Sequence, residues 1–502
     1  MNSISLNKKF CLVVVGLSYL LLIALEFLPF VTNGMWFDDS LNSQIYDMIQ
    51  RFHSGLGEFS INIVKLWLIK GGRVMLGFFP IYSFFYFLQG NELLIRLADV
   101  ASTVIHIGMV IYLLKLVHIS WRTIGLFVLL LVSIFQIRPL DDPIAAYAIF
   151  YQLLGLFITI SLILLVKWRQ TARSGYLLAS TMVAILSLLC YELNIIYFPI
   201  AIAVICTSMQ VNRLKNLIIV TIPLTLFLVF SYLLRHSVAA VYSGTTLGSL
   251  NAFPVTYLKQ LTGCLPGSFY IMIGHVNNPL SQLIKDFLSN YGAWLVATLS
   301  FLCYFFLIRP DNSAESSAQV PKGVIPIAAA FVLLPPVLMA LSERYQMVIS
   351  WGLPYLPVYY EYFGLALLLA VFIQRYVVKL HPILLILIIA LSSLYTTLNW
   401  ISNKHEAAFL DTIFTEPKRS LTHALKEGLL DVVRDGDIVE IQDQNSYING
   451  NLIYRLTGKN VVVPNEIIQS FESMPREDAI RYILNRQFIA DRGYVWQLAI
   501  KS

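Results

Sequence analysis

The stretch "KKFCLVVVGLSYLLLIALEFLPFVTNGMWFDDS" (residues 8–40) opens on two lysines, runs through an apolar segment to Phe30, and closes on adjacent carboxylates, Asp38 and Asp39. An α-helix needs about 20 apolar residues to cross a hydrocarbon core of about 30 Å, and this run supplies them. It is too long for the core of a cleaved signal peptide, and no A-x-A-like site precedes the acids. The reading is a retained anchor, with the acids placed where the chain leaves the membrane.

The same pattern recurs along most of the 502 residues. Hydrophobic residues make up 57% and charged residues 13%, with a mean hydropathy of +0.71. Ordinary soluble domains carry about 25% charged residues. The fold class is therefore an α-helical polytopic membrane protein. A barrel would show short alternating segments instead of continuous runs. Spans are expected near residues 10–31, 93–116, 122–137, 144–166, 176–191, 193–210, 216–234, 290–308, 323–341, 355–373 and 381–399, about eleven in all. Segment 74–88, short and interrupted by Gly77 and Pro80, reads as a juxtamembrane or re-entrant helix, tolerated where protein covers it or it lines a cavity.

Charge sets the orientation. Lys8 and Lys9, "KWRQTARSG" (167–175), "NRLK" (212–215) and "QRYVVK" (374–379) fall on one side, which the positive-inside rule makes cytoplasmic. The other side receives loop 32–92, "RPLDDP" (138–143), loop 235–289, "SERYQ" (342–346) and everything after Trp400. The net charge of +6 is spread over short loops and does not form a nucleic-acid surface. Two domains follow: a membrane domain over 1–400 and an extracytoplasmic α/β domain over 401–502. In the second, "KRSLTHALKEGLLDVV" (418–433) and "REDAIRYILNRQ" (476–487) look helical, while "GDIVEIQ" (436–442) and "RLTGKNVVVP" (455–464) look like strands. "DNSAESSAQVPKG" (311–323) is a linker. The five cysteines show neither a disulfide framework nor metal-ligand spacing.

The chemistry-bearing residues collect on the outer side. Loop 32–92 is long, about 60 residues, and long loops in compact proteins tend to carry function. It holds Asp38 and Asp39, then an amphipathic helix from Leu41 to about Arg51 with Ile45, Met48, Ile49 and Phe52 on one face. "GGR" follows, where Gly71-Gly72 permits a tight turn before Arg73. A carboxylate partly buried at a membrane boundary has its pKa raised and can act as a general base. An arginine beside it can hold a phosphate through paired hydrogen bonds. The plainer alternative is that the two acids cap the following helix. A second acidic pair, Asp141 and Asp142, follows Arg138, where Asp-Pro is also an ordinary helix start. Glu192 lies between two apolar runs, where an ionisable group is either functional or a structural hydrogen-bond partner. Glu343 and Arg344 precede an aromatic stretch with Trp351, Tyr355, Tyr359, Tyr360 and Tyr362, which suits a membrane-interface belt or a saccharide groove. His236 and His275 are isolated loop histidines. No Walker loop, GxGxxG, Ser-His-Asp order or CxxC is present, which leaves nucleotide-driven chemistry without support.

Taken together, "WFDDS", the amphipathic helix, "GGR", "RPLDDP", "CYE", "SERYQ" and "YLPVYYEYFG" resemble the C-type (GT-C) membrane glycosyltransferases, more narrowly the bacterial Gtr-type O-antigen glucosyltransferases. The likeness covers the layout of the whole chain; it departs after "DDS", where Leu-Asn stands in place of an arginine or aromatic. It implies a transferase of the cytoplasmic (inner) membrane. Such an enzyme moves a sugar, glucose in the named relatives, from a polyprenyl-phosphate donor to a cell-surface glycan such as O-antigen. The partners implied are that donor, the glycan acceptor and membrane lipids. A lipid-borne donor requires no nucleotide site, and neither cofactor nor metal is demanded. The catalytic base maps to Asp38 or Asp39, with Asp38 marginally preferred. Arg73 and Arg344 are assigned to the donor phosphate; Arg138, Asp141, Asp142, Glu192 and Tyr355 position substrate. Two other readings stand beside this one. A polysaccharide polymerase or ligase would want arginines in two large outer loops. A lipid-linked glycan transporter would want repeat symmetry and charges within spans.

Overall fold

The computed structural model describes residues 2–139, 141–208, 212–238, 242–276, 278–308, 321, 323–442, 450–464, 478–489 and 493–501. The linker expected at 311–323 lies outside them except for residues 321 and 323.

The chain opens with α1 (Asn2–Val31), then two short helices, α2 (Phe37–Asn42) and α3 (Ile45–Arg51), followed by α4 (Leu56–Gly71) and α5 (Phe78–Leu88). The long middle section comprises α6 (Glu92–Leu116), α7 (Trp121–Ile134), α8 (Phe150–Thr171), α9 (Ser174–Cys190), α10 (Tyr197–Thr207) and α11 (Arg213–Ser237). Next come α12 (Phe253–Gly263), α13 (Leu280–Ser289), α14 (Tyr291–Ile308), α15 (Val324–Leu341), α16 (Glu343–Val348), α17 (Val358–Arg375) and α18 (Pro382–Leu410). The C-terminal unit contributes α19 (Glu416–Lys426), β1 (Ile438–Ile441), α20 (Gly450–Thr457), β2 (Arg481–Ile489) and β3 (Gly493–Ile500).

Among the described residues, 8 helices are long and apolar enough to cross a membrane: α1, α6, α8, α11, α14, α15, α17 and α18, the last two counted with the helical turns that continue them. The segments around α5, α7, α9 and α10 are apolar but shorter. Local chemistry sets the ends. Asn91 accepts the Leu94 N–H to start α6, and Ser120 accepts the Thr123 N–H to start α7. Gly72, at φ 61, closes α4 in the left-handed conformation that a glycine adopts freely. α11 leaves Leu226, Val229, Tyr232 and Leu233 exposed, an apolar surface that suits a helix long enough to cross a membrane. α15 and α17 approach closely because Gly364 lacks a side chain; a Cβ there would stand 2.5 Å from the Ala328 carbonyl.

Several expectations shift by a turn or more. The span expected from 144 begins at Phe150, because residues 141–149 form turns held by side chains. The amphipathic helix expected from Leu41 to Arg51 is broken at Ser43–Gln44 into α2 and α3, although Ile45, Met48 and Ile49 are buried as its pattern requires. Segment 74–88 contains an 11-residue helix, α5, which at about 1.5 Å per residue reaches about half the hydrocarbon thickness. α18 continues past the expected domain boundary at 400 to Leu410, and the second hydrophobic core begins at Leu421.

That second core gathers Leu421, Leu425, Val439, Ile453, Leu484 and Trp496 against a three-stranded sheet in the order β1-β2-β3. β1 runs parallel to β2 (Val439 opposite Tyr482), and β2 antiparallel to β3 (Leu484 opposite Leu498). The helix expected over 476–487 is therefore wrong. From Arg481 the chain is strand β2, with Tyr482 and Leu484 on the buried face, and ladders on both sides outweigh the helix-like spacing. The strand expected over 455–464 is also largely absent. α20 takes its first residues, Gly458 at φ 71 ends that helix, and only Val462 bridges to Ile438.

The C-terminal unit sits on α2 and α3. The Arg51 guanidinium donates to Asn460 (2.9 Å), Asn451 (3.0 Å) and the Val461 carbonyl (2.7 Å). Arg455 pairs with Asp47 at 3.3 Å, and the buried Lys418 ammonium donates to the Ser40 carbonyl at 3.0 Å. Loop 32–52 is thus fixed between the bundle and this unit.

Candidate active site

The two acidic pairs divide in the same way. Asp39, in the first turn of α2, is fully buried; its Oδ2 accepts from Arg96 at 3.1 Å and its Oδ1 from the Ala148 N–H at 2.8 Å. Arg96 also donates twice to the Gly34 carbonyl, at 2.7 and 3.1 Å, and its guanidinium lies 5.5 Å over the Trp36 ring. Asp39 therefore locks the acidic loop to α6 and to the turn before α8. It does not cap α2: the N-cap is Trp36, without a side-chain bond. Burial pushes the Asp39 carboxyl up to about 7 despite Arg96 and Ala148. Asp142 is likewise buried. Its Oδ1 accepts from the Ile144 and Ala145 N–H groups at 2.9 and 2.7 Å, and its Oδ2 from the Arg138 N–H at 3.3 Å. That set of bonds makes the turn that delays α8.

Asp38 and Asp141 are the half-buried members. Asp141 is held at φ 49, an uncommon conformation for a residue other than glycine. Burial raises the Asp38 carboxyl, opposed by the Tyr147 hydroxyl and the Arg344 charge. Burial also raises Asp141, to about 6, with Asp38 adding to the rise and Arg344 and Tyr147 opposing it. One phenol carries one proton, so Tyr147 cannot donate to both carboxylates at once. Asp38, Asp141, Tyr147 and Arg344 are thus one electrostatic cluster, and Tyr82 of α5 lies within reach of the Asp38 charge.

The arginines meet through Tyr242, which lies 5.1 Å from the Arg73 guanidinium and 5.2 Å from that of Arg344. Arg73 is buried in an aromatic cage, 5.1 Å from Trp67 and 5.2 Å from Tyr191, and its Nε stands 3.6 Å from Glu192. Burial opposes its charge, but Glu192 and the surrounding tyrosines hold the guanidinium protonated. Arg344, at the start of α16, is exposed. Tyr242 continues the cluster to Tyr345 (hydroxyls 3.2 Å apart), whose ring lies 4.4 Å from Tyr355. Gln260 clamps the Tyr355 backbone, accepting its N–H at 2.7 Å and donating to its carbonyl at 3.1 Å.

Of the sequence-assigned residues, Asp38, Asp141, Arg73, Glu192, Arg344 and Tyr355 come together. Asp39 and Asp142 lie beside them as framework. Arg138 is fully buried, donating to the Gly263 carbonyl at 2.7 Å beneath the Tyr362 ring. His236 packs on Tyr232 at 4.3 Å and His275 lies 3.3 Å from the Tyr270 carbonyl, both local contacts. Tyr147, Tyr242, Tyr345, Arg96 and Gln260 were not singled out from the sequence. Tyr147 fell within the span expected from 144, Tyr242 within loop 235–289 and Tyr345 within "SERYQ", with nothing to set them apart from other tyrosines. Arg96, by contrast, stands with Asp99 in the span expected at 93–116, and ionisable residues in an apolar run are the signal that could have found it. Among the described residues, no three His, Cys, Asp or Glu side chains are grouped to hold a metal ion.

The arrangement can hold an anion at Arg344 with Arg73 behind it, and present a carboxylate with a raised pKa beside it. No family model, curated protein or solved structure gives a significant match to the chain.

Proposed function

We propose that the chain is a glycosyltransferase that takes a sugar from a polyprenyl-phosphate donor and gives it to a glycan hydroxyl on the outer face of the cytoplasmic membrane. The observation that carries this reading is the meeting of Asp38 and Asp141 with Arg344. One half-buried carboxylate from each acidic pair lies within electrostatic reach of an exposed guanidinium, at the bundle end where the C-terminal unit sits. In the step proposed, Asp38 accepts the proton of the acceptor hydroxyl as its oxygen bonds to the anomeric carbon. The bond from that carbon to the phosphate oxygen breaks, and the phosphate leaves with the electron pair. Arg344 neutralises it first, being exposed; Arg73 adds charge from within its cage. Asp141 and Tyr147 orient Asp38 and share its charge, and the tyrosine-lined wall offers flat faces to sugar rings.

The topology that fits has eleven crossings, with α7, α9 and α10 as short spans inside the bundle and α5 remaining outside as a wall. It places the basic ends of α8, α11 and α17 in the cytoplasm. The resemblance to GT-C enzymes supports the donor class, and O-antigen or a related surface glycan is the acceptor it suggests. Comparing surface polysaccharide with and without the gene tests this: loss of one hexose substituent is expected. An unchanged glycan composition and linkage pattern would refute it.

A further inference from the structure

Away from the acidic cluster, the bundle encloses a cavity of about 140 Å³ between α6, α8, α15 and α17. Its described walls are almost wholly apolar, Leu162 of α8 and Ala328 of α15 among them. His106 and Tyr360 line the end nearer the acidic site. His106 there has both ring nitrogens engaged, by the Tyr359 hydroxyl at 2.9 Å and the Thr159 hydroxyl at 3.1 Å, and its ring packs 4.6 Å from Phe363. Gly155 leaves the room this ring occupies, since a Cβ at that position would meet it. Tyr360 at the same end is fixed by a 3.0 Å bond to Asn194. The opposite end reaches Arg169, an exposed residue whose Nη1 is 3.8 Å from where a Gly323 Cβ would stand. Along α8 the cavity lining extends from Gly155 to Arg169, roughly 21 Å at about 1.5 Å per residue.

A slot this long and this apolar matches a single hydrocarbon chain. Among the described residues its one charged lining residue is Arg169, at the end of the bundle whose helix termini also carry Lys115, Lys167 and Arg173. Basic residues at the mouth of a cleft between membrane helices select lipids with anionic headgroups. We propose that this cavity binds one acyl chain of an anionic glycerophospholipid from the leaflet at the basic end of the bundle, with its phosphate at Arg169. The lipid occupies the opposite end from Asp38 and is separate from any donor bound there. It would fill the space left between α8, α15 and α17, and so hold these helices at the spacing that supports the site above.

Photocrosslinking of the full chain in nanodiscs, with phosphatidylglycerol carrying a diazirine at an acyl-chain terminus, tests this directly. Labelled peptides should map to the lining of α6, α8, α15 and α17. Leu162→Trp, which fills the slot, should remove that labelling, and Arg169→Glu should abolish the advantage of phosphatidylglycerol over phosphatidylcholine. Unlabelled phosphatidylglycerol should compete. Labelling of the wild type confined to lipid-facing positions such as Leu226 of α11 would overturn the proposal, with no variant needed. Competition by polyprenyl phosphate alone would overturn it too, by making the cavity part of a donor site.

Discussion

A carboxylate takes a proton from a sugar hydroxyl only if one of its oxygens is free to face that hydroxyl. Asp39 fails this condition, because Arg96 and the Ala148 N–H occupy both of its oxygens. Asp142 fails it for the same reason. Asp38 and Asp141 meet it, and both have raised pKa values, Asp141 at about 6. A base with a raised pKa is protonated and idle over a wider acid range, so the acid limb of transfer should lie above the usual carboxylate range. Asp141→Asn removes one negative charge beside Asp38; the acid limb of the pH–rate profile should move to lower pH. A limb that stays in place in this variant would mean that the two acids are not coupled. Doublets of identical residues hide this division from the sequence. Which member is framework depends on backbone N–H groups and an arginine that reach it from distant parts of the chain.

Helices fared well at the level of elements, because an apolar run of about 20 residues has few alternatives in a membrane. The departures have specific causes. Asp142 binds three backbone N–H groups and holds the chain in turns where hydropathy alone continues the span. "RYILNRQFI" carries both helical and alternating spacing, and pairing with β1 and β3 decides it. The docking of the C-terminal unit had no sequence signature. Arg51 looked like a polar residue ending an amphipathic helix, yet it makes three hydrogen bonds to residues 451–461. Bonds to charged groups contribute about 1.5–3 kcal/mol each. Arg51→Ala should therefore loosen that contact, seen as faster amide exchange over α2, α3 and residues 450–464 with α6 and α8 unchanged. Exchange unaltered in the loop would show that the unit is held by other contacts.

For the whole molecule, composition and hydropathy made the membrane class legible, and the structure supplies helices of the required length. The meeting of residues from loops as far apart as 38, 141, 242 and 344 was not legible, since only folding of the bundle brings them together. Sidedness is open to a direct check on the intact cell. Val432→Cys, exposed on the C-terminal unit, should react with an impermeant maleimide from outside, whereas Arg173→Cys should react only after lysis. The reverse pattern would invert the topology. The central claim is that Asp38 takes the acceptor's proton while a polyprenyl phosphate leaves. Release of polyprenyl phosphate from a panel of polyprenyl-phosphate hexoses, by purified protein supplied with acceptor glycan, measures it most directly. The wild type should release it from at least one donor, and Asp38→Asn should reduce the rate by about 10²–10⁴-fold while remaining folded. Equal release by the two proteins would contradict the assignment.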